Sequence, residues 1–107
     1  MQGMEHVVVR SLTKGKVMVR HKVRDFDAWR TLFYADAKRQ RDATCTRVYL
    51  TRNRHDKNEV VIIFECEDLD KAKNTFSDPS LAELMRKAGV VDQPTMFFLE
   101  EIETCNL

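Results

Sequence analysis

The sequence has little of what bends or breaks a chain: three glycines and two prolines in 107 residues. That scarcity argues against a low-complexity, linker-like or collagen-like protein. Cysteine is sparse as well. Cys45, Cys66 and Cys105 are odd in number and widely spaced, with no CxxC pair and no Cys/His metal spacing. Reduced thiols and a cytoplasmic location are expected, and the arginines near Cys45 would favour its thiolate. An excess of one charge is also missing. Lys plus Arg is 18 and Asp plus Glu is 17, so nothing draws the whole chain to nucleic acid or to an anionic membrane. No apolar run approaches the ~18 residues of a membrane span. Met1–Leu12 has no basic segment followed by a long apolar stretch, so no signal peptide is expected.

What is present is a run of alternating and helix-periodic segments sized for one domain. Residues 1–15 read as an N-terminal arm or extra strand. They contain the short β-like run Val7-Val8-Val9, with Thr13 to Lys16 as a turn. From Lys16 to Val23 the chain alternates, placing Val17, Val19, His21 and Val23 on one face. Asp25 is a suitable N-cap for a helix reaching about Asp42, with Phe26, Trp29, Leu32, Phe33 and Ala37 as its apolar stripe. A second strand, Thr44–Arg52, and a polar loop, Asn53–Asn58, lead to Val60–Phe64, apolar at every position. Asp68 caps a second helix that Asp78-Pro79 interrupts and restarts. Gly89 ends it, and Thr95–Glu103 is the last strand. Residues 16–103 thus form one domain and 104–107 a tail.

The order βαββαβ predicts an α+β, ferredoxin-like fold: a four-stranded antiparallel sheet with two helices on one face. Those helices cover a single sheet face. Val60–Phe64 and Met96–Leu99 carry large apolar groups on both. Leaving the second face wet would forgo roughly 1.5–3 kcal/mol per side chain. A homodimer joined through that face is the expectation.

Two residues on the first helix are out of place. Asp36 and Gln40, four apart, fall in projection on the stripe of Trp29, Leu32 and Phe33. A carboxylate buried there needs a partner, water or a proton. His21 lies on the strand face that meets this helix. His21, Trp29, Phe33, Asp36 and Gln40 are therefore expected to border one cleft, with Tyr49 adding a hydroxyl from the second strand. A His21–Asp36 pair would orient the imidazole as a general base or a polar anchor. These two are the candidate catalytic residues. Trp29, Phe33, Gln40 and Tyr49 are the candidate ligand contacts, for a small aromatic or apolar molecule.

Other signals are weaker. Arg39, Arg41, Arg47, Arg52, Arg54 and Lys57 gather around the second strand, as a solvated edge would. A nucleic-acid site would need stacking aromatics among them, and only Tyr49 is near. His6, His21 and His55 have no metal-ligand spacing, and there is no Gly-rich phosphate loop or GxSxG.

One set of residues goes further. His21-x-Val23-x-Asp25-Phe26-x-x-Trp29 resembles the H-x-V-x-D-[F/Y]-x-x-W opening of small proteins in the dimeric α/β-barrel superfamily. Asn58-Glu59-Val60, Glu65-x-x-Asp68-Leu69-x-x-Ala72 and Ala88-Gly89-Val90 match at the later elements. The resemblance spans Lys16 to Glu103. It implies two sheets packed face to face in a homodimer, forming a dimeric α/β barrel, with a ligand cleft between each sheet and its helices. It also implies chemistry like that of antibiotic-biosynthesis monooxygenases or muconolactone isomerases; the alternative is a non-enzymatic ligand-binding or stress-related dimer. Haem-degrading relatives place an Asn on the first strand and a Trp and a His later in the chain. Here the tryptophan is early and no His follows His55. The catalytic set of the cofactor-free monooxygenases is not matched either, and no cofactor is expected.

Overall fold

The structure is a computed structural model and describes residues 14–107. The expected N-terminal arm lies, through residue 13, outside the described residues. The chain then runs β1 (Gly15–Lys22), α1 (Phe26–Ala35), α2 (Ala37–Asp42), β2 (Cys45–Asn53), β3 (Asp56–Cys66), α3 (Leu69–Phe76), α4 (Pro79–Lys87) and β4 (Thr95–Glu100). The strands form one antiparallel sheet in the order β2-β3-β1-β4. This is the ferredoxin-like α+β arrangement that the element order predicts.

Alternation decides the core. Val17 and Val19 of β1 and Val60, Ile62 and Phe64 of β3 point to one face, where Trp29, Ala72 and Phe76 cover them. Caps hold the helices over this face. Asp25 accepts the Ala28 N–H at 3.2 Å, and Asp68 accepts those of Asp70 and Lys71 at 3.0 and 3.1 Å. Gly89, at φ 93°, closes α4, and Val90 then bridges back to Val23.

Several boundaries differ from expectation, among them the end of the last strand, which stops at Glu100 rather than Glu103. The first helix is not continuous to Asp42. At Asp36 (φ −94°, ψ 25°) the backbone N–H bonds to Phe33 O, three residues back, and the helix breaks into α1 and α2. The break sits where a carboxylate would otherwise enter the apolar stripe. The polar loop of the hairpin shrinks to Arg54 and His55, because β2 and β3 extend to an Asn53–Asp56 pair. Gly15, expected in a turn, begins β1 instead and pairs with both Cys66 and Glu100.

The opposite face of the sheet carries no described helix. Register aligns Tyr49, Ile63, Met18 and Phe97 in one row across all four strands. Tyr49 is 41% and Phe97 47% exposed. The rows on either side, Arg47-Glu65-Lys16-Leu99 and Thr51-Val61-Arg20-Thr95, are mixed, and their β1 cations are internally paired. Lys16 meets Glu101 at 3.4 Å, and Arg20 meets Glu59 and Asp92 at 2.7 and 2.8 Å.

Candidate functional site

Between α1, α4 and the inner sheet face lies a small apolar cavity of about 60 Å³. β1 contributes Val19 and His21, and β3 contributes Ile62 and Phe64. α1 supplies Trp29, Leu32 and Phe33, and α4 supplies Leu81, Leu84 and Met85. The polar members of the lining are His21, Asp36, Arg39 and Gln40. Five residues expected to border one cleft (His21, Trp29, Phe33, Asp36 and Gln40) are thus brought together.

Tyr49 is not among them, which corrects the expectation. It lies on the other face of the sheet, opposite Ile63, because Val48 and Leu50 on either side of it turn inward. Its hydroxyl donates to Glu65 at 3.1 Å and accepts from Arg47 at 3.4 Å.

His21 is 2% exposed, and its Nδ1 is buried without a hydrogen-bond partner among the described residues. Its ring meets Trp29 edge to face, with centroids 5.4 Å apart, and Trp29 stacks on Phe33 at 5.0 Å. Burial lowers the imidazole pKa, and the negative charge of Asp92 opposes that only in part. The ring is therefore neutral at pH 7 and offers one N–H and one lone pair. Asp92 is held in place by the Lys22 N–H and the Arg20 guanidinium, each at 2.8 Å. These bonds clamp the end of β1 to the segment before β4.

Asp36 engages a different partner from the one expected. Its carboxylate accepts from Arg39 Nε at 2.9 Å, while Arg39 Nη1 donates to Ser80 Oγ on α4 at 3.1 Å. The structure therefore holds an Asp36–Arg39–Ser80 chain across the cavity's rim, linking α2 to α4. Sequence reasoning missed Arg39 by grouping it with the basic edge. Its place three residues after Asp36 was the available signal. Two other members of that basic group also have internal partners: Arg47 with Tyr49, and Arg52 over the Phe26 ring, 4.4 Å from its centroid.

The cavity's charges thus cancel. Its wall is apolar, its ion pair is closed, and its one deep polar group is a neutral imidazole. Among the described residues no group of three or more His, Cys, Asp or Glu side chains is placed to hold a metal, and no helix is long and apolar enough to cross a membrane.

No protein-family model and no curated protein matches the chain. Solved structures do. A Caulobacter crescentus protein proposed to be an antibiotic biosynthesis monooxygenase superposes with a TM-score of 0.67 at 14% identity, covering 92% of this chain and 99% of that one. SnoaB, a cofactor-independent oxygenase from Streptomyces nogalater, superposes at 0.62 with 18% identity, covering 84% and 96%. A Nitrosomonas europaea protein, also proposed to be an antibiotic biosynthesis monooxygenase, gives 0.64 at 8% identity, covering 83% and 90%. The chain shares their ferredoxin-like fold. At such identities the likeness is one of architecture, and any activity has to be argued from the cavity.

Proposed function

We propose that the chain is a cytoplasmic homodimer whose cavity receives a small, uncharged, largely apolar molecule for cofactor-independent, monooxygenase-like or isomerase-like chemistry. The observation that carries this reading is His21, a buried neutral imidazole with an unpartnered Nδ1 in an otherwise apolar lining. A hydroxyl or carbonyl on the ligand would satisfy that nitrogen, and a proton on an acidic C–H or O–H would have a base within reach. Trp29 and Phe33 supply the flat wall for an aromatic body. Asp36 and Gln40 border the rim, and Arg39 holds the Asp36 carboxylate away from the imidazole. A ligand of ordinary size needs more than the present volume. Entry would therefore widen the space between α1 and α4, which Leu32, Leu81, Leu84 and Met85 line.

The test uses the single tryptophan of the chain. Titration with 1,4-dihydroxynaphthalene under nitrogen should quench Trp29 fluorescence saturably. His21→Leu should weaken binding about tenfold, roughly 1.4 kcal/mol. Admitting air should give protein-dependent oxygen uptake that His21→Leu abolishes. Quenching without uptake would favour the alternative, a ligand-binding dimer without turnover. No quenching would overturn the cavity as a site for this class of molecule.

A further inference from the structure

Cys45 opens β2 and Cys66 closes β3, and the two are cross-strand partners. Their sulfur atoms lie 3.4 Å apart. The ladder explains the closeness. The Glu67 N–H donates to the Thr44 carbonyl at 3.1 Å, so the next pair inward falls at a non-hydrogen-bonded position. There, facing Cα atoms approach to about 4.5 Å, inside the range a disulfide spans. The backbone beside the pair is pinned. Thr44 sits at φ 61°, its hydroxyl accepts the Asp68 N–H at 2.9 Å, and Asp68 caps α3. Cys66 is buried in the core while Cys45 is only half-buried, so a small molecule has a route to the pair from one side.

We propose that Cys45 and Cys66 form an oxidant-sensitive dithiol, which a hydroperoxide-class oxidant closes into a β2–β3 disulfide. The balance is simple. A thiolate of the pair attacks the peroxide O–O bond, giving a sulfenic acid and releasing hydroxide, which takes up the proton the thiol gave. The second thiol then displaces the sulfenic oxygen as water. Two thiols and one hydrogen peroxide become one disulfide and two waters; the sulfurs lose two electrons and the peroxide gains them.

The chemistry of the pair agrees. The nearby arginines do not set the Cys45 thiol. Its hydrogen bond to Cys66, together with burial, raises its pKa, and the same hydrogen bond lowers that of Cys66. One sulfur therefore holds its proton more tightly and the other releases it more readily, a division that suits the two steps. Cys105 is exposed in the tail and takes no part.

The experiment treats the reduced full-length protein with a few equivalents of hydrogen peroxide. Titratable thiols under denaturing conditions should fall from three to one. The mass should drop by two hydrogens without a covalent dimer, and digestion should yield a Cys45–Cys66 linked peptide. The oxidised protein should melt at a higher temperature, and dithiothreitol should reverse the gain, because the crosslink restricts the unfolded chain. Cys105→Ser should form the same linked peptide with no thiol left, whereas Cys45→Ala should form none. The proposal is overturned by three persistent thiols, by sulfinic acid accumulating on either member of the pair, or by oxidation confined to Cys105 in covalent dimers.

Discussion

At the scale of single residues, His21 ties stability to pH. Burial keeps its folded-state pKa below the ordinary value of 6.5. The unfolded chain therefore holds the proton more tightly, and between the two values it binds more protons than the folded one. Stability then rises with pH across that window. The contribution is complete above about pH 6.5 and is lost as pH falls from there toward the folded value. The carboxylates with depressed pKa values, Asp42, Asp56, Glu59, Asp78, Glu83 and Asp92, act lower on the scale and do not mask it. His21→Leu should flatten the pH dependence of urea unfolding just below pH 6.5. It should also leave the protein no less stable at pH 7, and more stable by about 1 kcal/mol if Nδ1 is unpaired in solution too. A variant that keeps the wild-type slope would show that the proton binds elsewhere. Among the candidate site residues, those on alternating or helix-periodic segments were readable in the sequence. His21 shares a face with Val17 and Val19, and Asp36 and Gln40 interrupt a clear stripe. Tyr49 was misassigned although the same alternation puts Val48 and Leu50 inward. The Asp36–Arg39 pairing was hidden because it depends on a helix break that periodicity does not reveal.

At the scale of elements, Gly15 shows how tightly β1 is seated. It is the first residue of the strand, and a Cβ added there would overlap the Leu99 carbonyl oxygen of β4 and the Leu69 side chain of α3. The carbonyl belongs to the sheet backbone and cannot rotate away, so relief requires β4 or α3 to shift. Gly15→Ala should destabilise the protein by about 1–3 kcal/mol, the usual range for overpacking, read as a lower urea midpoint. An unchanged midpoint would mean that the β1–β4 edge is looser than the structure shows. The elements themselves were largely legible. Each helix begins at an Asp whose side chain caps it, except α2, where Asp36 makes no side-chain cap. Strand ends were less so. Gly15 reads as a turn residue in isolation and becomes a strand residue only because two neighbours, Cys66 and Glu100, pair with it. Cys45 and Cys66 are 21 residues apart, and only the β2–β3 register makes them partners. Register depends on turn geometry as well as on apolar pattern, and the polar loop read between these strands was longer than the turn that forms.

At the scale of the molecule, one sheet face is buried under helices and the other is not, although both carry large apolar groups. The row Tyr49, Ile63, Met18 and Phe97 crosses the whole open face. The charged residues beside it are satisfied within the chain: Arg20 by Glu59 and Asp92, Lys16 by Glu101. A partner docking there would not have to supply counter-charges, only apolar surface. A second copy offers the same row and the same internally paired borders, which suits a twofold interface in which each patch meets itself. Covering these side chains recovers roughly 25 cal/mol for each Å² of apolar surface removed from water. A stable dimer needs at least ~1,000 Å² buried in total, so the charged borders must be included along with the central row. Sedimentation of the wild-type protein at micromolar concentration should give twice the chain mass of 12.6 kDa. Phe97→Asp places a charge beside Met18 at the β4 end of the row and should give monomers that keep the wild-type far-ultraviolet circular dichroism. Lys38→Ala, on the helix side and 80% exposed at the side chain, should remain dimeric. A monomeric wild type, or a dimer that Phe97→Asp leaves intact, would place the partner on another surface. The helix-side cavity would then have to be judged without a second subunit behind its sheet.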